Sequence, residues 1–362
     1  MTLLTWKKIN ESNSSYLTGV TKKFVLKSKI ACFDIDSTII KTKSGKTFAV
    51  DKDDWIFFNE NVSVKLKEIS KSHSIIFITN QSGLKTKDKI EDWKTKINNV
   101  CEKLKIELQI YCSIDKDIFR KPQPTFINII KNQLKCKLDN DSYYCGDAAG
   151  RKNDFSDTDY KFALNSKIEF YVPEQIFCDE IYDDSEISAT YVNYNRSQKD
   201  TQFIPIQEGN ELILMVGFPG SGKSKYVIQN IVPHNYIRIN QDTLKTKQKC
   251  LKETVKAINN KKNIVIDNLN SDVITRKEYI DIAKKNNYKV RCIIMKTSKM
   301  LSIHNMLYRT YKSNGEIKRI PDIVYNMVSK KYIEPTKSEN IDEILKINFV
   351  KPNDEDYNMY FS

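Results

Sequence analysis

No two of the eight cysteines stand in a C-x-x-C pair, and none of the three histidines lies at finger spacing from a cysteine pair. A structural zinc site is therefore not expected. The N-terminal MTLLTWKKIN lacks the apolar core and the small-residue cleavage site of a secretory signal. The longest apolar run, 212–218, is far too short to span a bilayer. Most cysteines sit in apolar, strand-like text (IACFDID, YYCGDA, VRCIIM), where they read as small core hydrophobes. An intracellular, reduced, membrane-free protein is the expectation. Disordered and fibrous classes are excluded, since 40% hydrophobic and 10% aromatic residues suffice for packed cores.

What is present begins with length. At 362 residues the chain has room for two domains. Its formal net charge of +13 suggests an anionic partner, nucleic acid being the commonest. Lys/Asn/Ile-rich text produces the same excess without any ligand, so charge alone does not decide.

The two halves share one grammar: a short β-branched run, a turn rich in Gly, Asp or Ser, then a helical stretch. Strands are read at 30–34, 74–79, 109–113 and 142–145, with helices at 85–104 and 124–134. In the second half strands are read at 212–216, 236–239, 263–266 and 289–295. Alternation of this kind predicts an α/β protein with two parallel-sheet domains, each sheet covered on both faces. The division is placed at 1–180, a linker at 181–208, and 209–362.

The first strand runs out in Phe33-Asp34-Ile35-Asp36-Ser37-Thr38. Carboxylates at i and i+2 leave a strand end on the same side. At the C-terminal edge of a parallel sheet, both then stand over the ligand crevice. Such a pair suits bound Mg²⁺, and one Asp can attack phosphorus while the other protonates the leaving oxygen. Thr79-Asn80-Gln81 ends a second run with groups fit for phosphate oxygens. Arg120-Lys121-Pro122 supplies a cation, and Asp147 ends a fourth run, with Asp154 in the loop beyond. This order resembles the haloacid-dehalogenase superfamily of phosphatases. The resemblance implies Asp34 as nucleophile, Asp36 as general acid then base, and Thr79 and Lys121 as phosphate holders. Asp34, Asp36 and Asp147 would form the Mg²⁺ shell. Ser37 departs from it, standing where the family usually has glycine.

The second half opens on a strand followed by Gly217-Phe218-Pro219-Gly220-Ser221-Gly222-Lys223-Ser224, a phosphate-binding loop in its required strand-to-helix context. Backbone N–H groups from Gly217, Gly220, Ser221 and Gly222 wrap the phosphates of ATP. Lys223 reaches the β/γ-phosphates, and Ser224 the Mg²⁺. Asp242 is placed to take a proton from a substrate hydroxyl; its ordinary alternative is a helix cap. Asp267-Asn268 are candidates for metal or substrate contact. His304-Asn305 and Arg309 lie in a basic helical stretch read as a lid, Arg309 over the transferring phosphate.

Together FDIDSTI, SGKTF with DDW, FITNQSG, RKP, GDAAGR with DFSDTD and FALN, GFPGSGKS, NQDTL, IDNLN and HN resemble the bifunctional polynucleotide kinase 3′-phosphatases. The N-terminal phosphopeptide-binding domain of animal members has no room before Asp34. Gln241 replaces the arginine usual before the kinase aspartate. The resemblance implies a haloacid-dehalogenase-like phosphatase fold followed by a P-loop kinase fold. Its chemistry would be end healing: removal of a 3′-phosphate and ATP-dependent phosphorylation of a 5′-hydroxyl. Implied partners are nucleic-acid ends, DNA ahead of RNA, and a ligase or repair scaffold, with the chain itself a monomer in the nucleus or cytoplasm. The net charge fits sequence-blind phosphate contacts. Trp55, Phe57, Phe58 and Trp93 are aromatic candidates for stacking on an end base or for core packing. A small-molecule kinase–phosphatase fusion is the enzymatic alternative. An inactive end-binding scaffold is disfavoured by the intact Asp34, Asp36, Lys223 and Ser224.

Overall fold

The computed structural model describes residues 4–178, 184–190, 203–206 and 208–362. The chain forms two compact units: Met1–Tyr191 with Arg309–Arg319 and Asn358–Ser362, and Val192–Tyr308 with Ile320–Tyr357. Much of the expected linker at 181–208 lies outside the described residues.

Unit one is built on a seven-stranded sheet. Its strands are β1 (Leu4–Glu11), β2 (Ser14–Thr21), β3 (Ile30–Phe33), β4 (Ser74–Asn80), β5 (Leu108–Ser113), β6 (Tyr143–Cys145) and β7 (Glu169–Tyr171), in the order β1-β2-β5-β4-β3-β6-β7. From β5 to β7 every pairing is parallel. The expected parallel sheet is thus present, and β1 and β2 extend its edge as an antiparallel hairpin that pairs antiparallel with β5. The central strand β3, flanked on both sides, is buried at every residue (Ile-Ala-Cys-Phe). Apolar residues at every position suit a strand covered on both faces.

Helices α1 (Val62–Ser70), α2 (Lys87–Leu104), α3 (Thr125–Leu134) and α4 (Thr158–Ser166) link the parallel strands. α2 is capped by Thr86, whose side chain accepts from the Lys89 N–H, and its buried face is Trp93, Ile97, Val100, Cys101 and Leu104. A short hairpin, Ile40–Lys41 with Ile56–Phe57, rises after β3. Trp55 and Trp93 are buried, and Phe57 and Phe58 pack against the core. Packing, not display to a ligand, is the role of this aromatic set.

Unit two is a five-stranded, fully parallel sheet of β8 (Glu211–Val216), β9 (Ile237–Ile239), β10 (Ile264–Ile266), β11 (Lys289–Lys296) and β12 (Glu343–Asn348), ordered β9-β10-β8-β11-β12. β8 is buried along its whole length, and the loop at its C-terminal end is therefore anchored at the centre of the sheet. Helix α5 (Lys223–Tyr226) starts directly after that loop, and α6 (Gln241–Leu244), α7 (Lys247–Asn259), α8 (Val273–Lys285) and α9 (Lys299–Lys312) follow. All eight cysteines are free thiols, six of them buried. Among the described residues, no helix is long and apolar enough to cross a membrane.

Candidate active sites

In unit one the polar side chains collect where β3, β4 and β6 end. Asp34 directly follows β3, and its N–H donates to the Cys145 carbonyl at 2.9 Å, which holds it in the sheet before the chain turns. Lys121 arrives from the loop after β5. Its main chain is clasped by Asn80: the Lys121 N–H donates to Asn80 Oδ1 (3.0 Å), and Asn80 Nδ2 donates to the Lys121 carbonyl (3.2 Å). The ammonium spends all three hydrogens on buried partners: Asp34 Oδ1 at 2.6 Å, the Tyr144 hydroxyl at 2.6 Å and Asp159 Oδ1 at 2.7 Å.

One cation among several buried carboxylates leaves negative charge uncompensated. Burial pushes the Asp34 carboxyl well above its ordinary range, with Lys121 opposing and Asp159 reinforcing the rise. Asp147 is pushed up to about 7, by burial first and by the Asp159 charge second. Burial works to lower the Lys121 ammonium, but the Asp159 and Asp34 charges outweigh it and hold the lysine protonated. Asp34, Asp147 and Asp159 each place a carboxylate oxygen within 4.8 Å of the other two. Three hard oxygen donors carrying excess negative charge fit Mg²⁺.

Asp36 stands outside this trio, exposed. Gln81 Nε2 donates to its Oδ2 at 2.6 Å and to the Thr79 hydroxyl at 3.1 Å, and Lys96 Nζ lies 3.6 Å from its Oδ1. Thr79 is buried at the end of β4. Ser37 adopts φ 60°, the left-handed conformation that glycine takes without cost. Asp154 is a loop clasp: its Oδ2 accepts the N–H groups of Ala149 and Arg151, and the Arg151 guanidinium sits 2.9 Å from it. Gly146 is required by Asp159, since a Cβ there would lie 2.4 Å from Asp159 Oδ2.

In unit two the loop 217–224 is pinned from beneath. Thr297 donates to the Ser221 carbonyl (2.9 Å), Asn305 Nδ2 to the Gly220 carbonyl (2.9 Å), and Asn270 Nδ2 to the Met215 carbonyl (2.8 Å). Gly220 has φ 76°, and a Cβ on it would sit 2.4 Å from the Ser302 carbonyl oxygen, so α9 packs directly on the loop. Lys223 folds back over the loop carbonyls of Gly217 (3.0 Å) and Phe218 (2.7 Å). Burial lowers its pKa to about 8, against the raising charges of Asp267 and Asp242. Gly222 takes φ 97° at the head of α5, and Ser224 is exposed one residue after Lys223. Asp267, buried at the end of β10, pairs with Arg238 through Oδ2 (2.6 Å), while its Oδ1 is buried without a hydrogen-bond partner among the described residues. That open oxygen and the Ser224 hydroxyl are hard oxygen donors of the kind Mg²⁺ takes.

Asp242 is exposed in α6, and the cap of that helix is Asn240, whose side chain accepts from the Thr243 N–H. The capping alternative for Asp242 is thereby removed. His304 and Asn305 are buried. His304 Nε2 donates to the Tyr357 carbonyl (2.9 Å), so this part of α9 is packed down rather than standing off as a lid. Arg309 is exposed in the last turn of α9, in the segment that belongs to unit one.

Comparison with known proteins follows the same division. The family described as polynucleotide kinase 3 phosphatase matches residues 29–177, and an AAA domain matches residues 212–326. A bifunctional polynucleotide phosphatase/kinase of Schizosaccharomyces pombe is 35% identical over 350 residues, covering 94% of this chain and 84% of the relative. The chain belongs to the bifunctional polynucleotide phosphatase/kinase family. A protein of Acanthamoeba polyphaga mimivirus named for the same two activities is 35% identical over 93% of this chain and 89% of its own. The polynucleotide 3′-phosphatase of Saccharomyces cerevisiae is 30% identical over 41% of this chain and 87% of its own. This phosphatase/kinase is an enzyme with one domain for each activity.

Sequence reasoning missed Asp159, Tyr144 and Lys96, and gave Gln81 a phosphate contact rather than its bond to Asp36. Asp159 stands inside the acidic run DFSDTD, but its charge is used twelve residues from Asp147 and on a helix, where no strand-end rule looks. Tyr144 alternates out of β6 toward α4 and reads as ordinary core. Gln81 stands two residues beyond the hydroxyl it serves, within the FITNQSG motif.

Proposed function

We propose that this phosphatase/kinase heals nucleic-acid ends, removing 3′-phosphates in unit one and phosphorylating 5′-hydroxyls in unit two, with DNA as the preferred polymer. The observation that carries the reading is the presence in one chain of a buried Asp34–Lys121–Asp159 centre and a complete phosphate-binding loop. The names of the relatives and the net charge of +13 support a polynucleotide substrate.

In unit one, Asp34 attacks the phosphorus of the 3′-phosphate and the P–O3′ bond breaks. Asp36 gives its proton to the departing O3′. The carboxylate of Asp36 then takes a proton from water, which attacks the aspartyl-phosphate, frees inorganic phosphate and restores Asp34. Thr79 holds a phosphoryl oxygen, and Lys121 does so by exchanging its bond to Asp34 for one to the phosphate. Gln81, which bridges Asp36 and Thr79, aims the acid at the phosphate pocket. Asp34 and Asp147 would hold Mg²⁺, which when bound supplies positive charge against the transferring group.

In unit two, Asp242 accepts the proton of the 5′-hydroxyl as its oxygen attacks the γ-phosphorus of ATP, and the bond to the β–γ bridging oxygen breaks. Backbone N–H groups of 217–222 and the Lys223 ammonium receive the phosphate charge. Ser224 and Asp267 would hold the Mg²⁺ of the nucleotide. The products, 3′-hydroxyl and 5′-phosphate, are the ends a ligase joins.

The test is a nicked duplex carrying a 3′-phosphate and a 5′-hydroxyl, as DNA and as RNA in parallel, with Mg²⁺ and ATP. Both ends of the DNA should be converted, faster than those of the RNA. Asp34→Asn should abolish dephosphorylation alone, and Lys223→Ala phosphorylation alone. A folded protein that leaves both polymers untouched would disprove the reading.

A further inference from the structure

Residues Asn358–Ser362 come after the last residue of unit two in sequence, yet they belong to unit one. They lie along α4, the helix that supplies Asp159. Asn165 of α4 uses both amide hydrogens and its oxygen: Nδ2 donates to the Tyr360 carbonyl (2.6 Å) and to the Pro122 carbonyl (2.8 Å), and Oδ1 accepts the Tyr360 N–H (2.9 Å). One face of this amide therefore pairs with the tail as a neighbouring strand would. The remaining hydrogen reaches the residue next to Lys121. Buried Lys161, on the same helix, donates to the Ser362 carbonyl oxygen at 2.5 Å and pairs with Asp157 at 2.9 Å. Phe361 is buried beside them.

We propose that residues 358–362 are a strap that completes the phosphatase centre, and that Asn165 is a positioning residue acting through Lys121. The inference rests on the reading of Asp34 and Lys121 as the phosphatase centre. Lysine has a long, flexible stem, and its head group reaches Asp34 reproducibly only if its main chain is fixed. Asn80 holds that main chain at Lys121, and Asn165 holds it one residue further, at Pro122. α4 thus grips the same dipeptide twice, at the ammonium through Asp159 and at the backbone through Asn165. Without the tail, Asn165 loses the partner that fixes the direction of its amide. A displacement of about 1 Å at a positioned group costs on the order of 100-fold in rate.

Two variants of the full chain test this: one ending after Tyr357, and Asn165→Asp, which keeps the size and the acceptor but loses both donors. Each is assayed for dephosphorylation of a 3′-phosphorylated oligodeoxynucleotide and for 5′-phosphorylation, beside Asp34→Asn. Both variants should lose roughly 10- to 100-fold in kcat for dephosphorylation, with KM within about 3-fold and 5′-phosphorylation within about 2-fold. A shortened chain that dephosphorylates at the parental kcat overturns the strap. An equal fall of both activities also overturns it, because the segment would then serve folding alone. Retention of dephosphorylation by Asp34→Asn would instead overturn the reading of the centre itself.

Discussion

The ammonium of Lys121 lies 2.6 Å from a carboxylate oxygen of Asp34, and both side chains are buried. The pair sets the charge state of the phosphatase centre. Replacing the lysine by an apolar side chain of similar length leaves Asp34 and Asp159 facing each other without a cation. Lys121→Met should therefore lower dephosphorylation by roughly 100- to 1,000-fold, as loss of a transition-state donor does. It should also destabilise unit one by about 3–5 kcal/mol, the cost of breaking a buried pair. Urea unfolding and paired activity assays measure both; phosphorylation of 5′-hydroxyls should persist.

The carboxyl of Asp147, raised from 3.8 to about 7, carries a sign for metal binding. A raised carboxyl keeps its proton in the fold after the unfolded chain has lost it. The stability it contributes is present below about 4 and is lost as pH rises through about 7. Mg²⁺ competes with that proton and replaces the lost contribution. The rise in melting temperature on adding Mg²⁺ should thus be larger at pH 8 than at pH 6. An equal rise at both would show that Asp147 does not face the ion.

Ser37 holds φ 60° where glycine is free of strain. Ser37→Gly should stabilise the protein by about 0.5–1 kcal/mol, the left-handed penalty less the added unfolded-chain entropy of glycine. Dephosphorylation should stay within about 2-fold. Thermal unfolding decides it, and a destabilised variant would mean that the hydroxyl has a partner worth more than the strain.

Phe155 is fully exposed between the loop clasp Asp154 and Asp159. An exposed aromatic ring on the loop between Asp147 and Asp159 offers a base a stacking face worth about 1–3 kcal/mol. Phe155→Ala should reduce kcat/KM on a 3′-phosphorylated oligonucleotide by roughly 5- to 100-fold. Hydrolysis of p-nitrophenyl phosphate should be unchanged. A parallel loss on both substrates would assign the ring to the loop rather than to the nucleic acid.

The strand-end acids Asp34 and Asp147 and the loop 217–224 were legible because each follows an apolar run whose period fixes where side chains leave the sheet. Asp36, read into the same Mg²⁺ shell, stands outside the carboxylate trio. The hairpin β1–β2 was not legible. Its outer strand LTWKKINE is largely exposed, so charged and apolar residues mix without clean alternation. The roles of Asp159 and Asn165 were hidden for another reason. Both act through tertiary packing of α4, and nothing local distinguishes them from solvated helix residues. Trp55 and Trp93, weighed between stacking on a base and packing, are taken by the core.

Gly146 and Asp159 compete for one volume, with 2.4 Å between a hypothetical Cβ and the carboxylate. The two positions are consequently bound together in descent. A lineage that keeps the acid has no neutral route away from the glycine, and one that gives up the acid is released to drift at both. Among relatives, the pair should therefore be inherited as a unit, and a side chain at the glycine position should mark a phosphatase half that has stopped working.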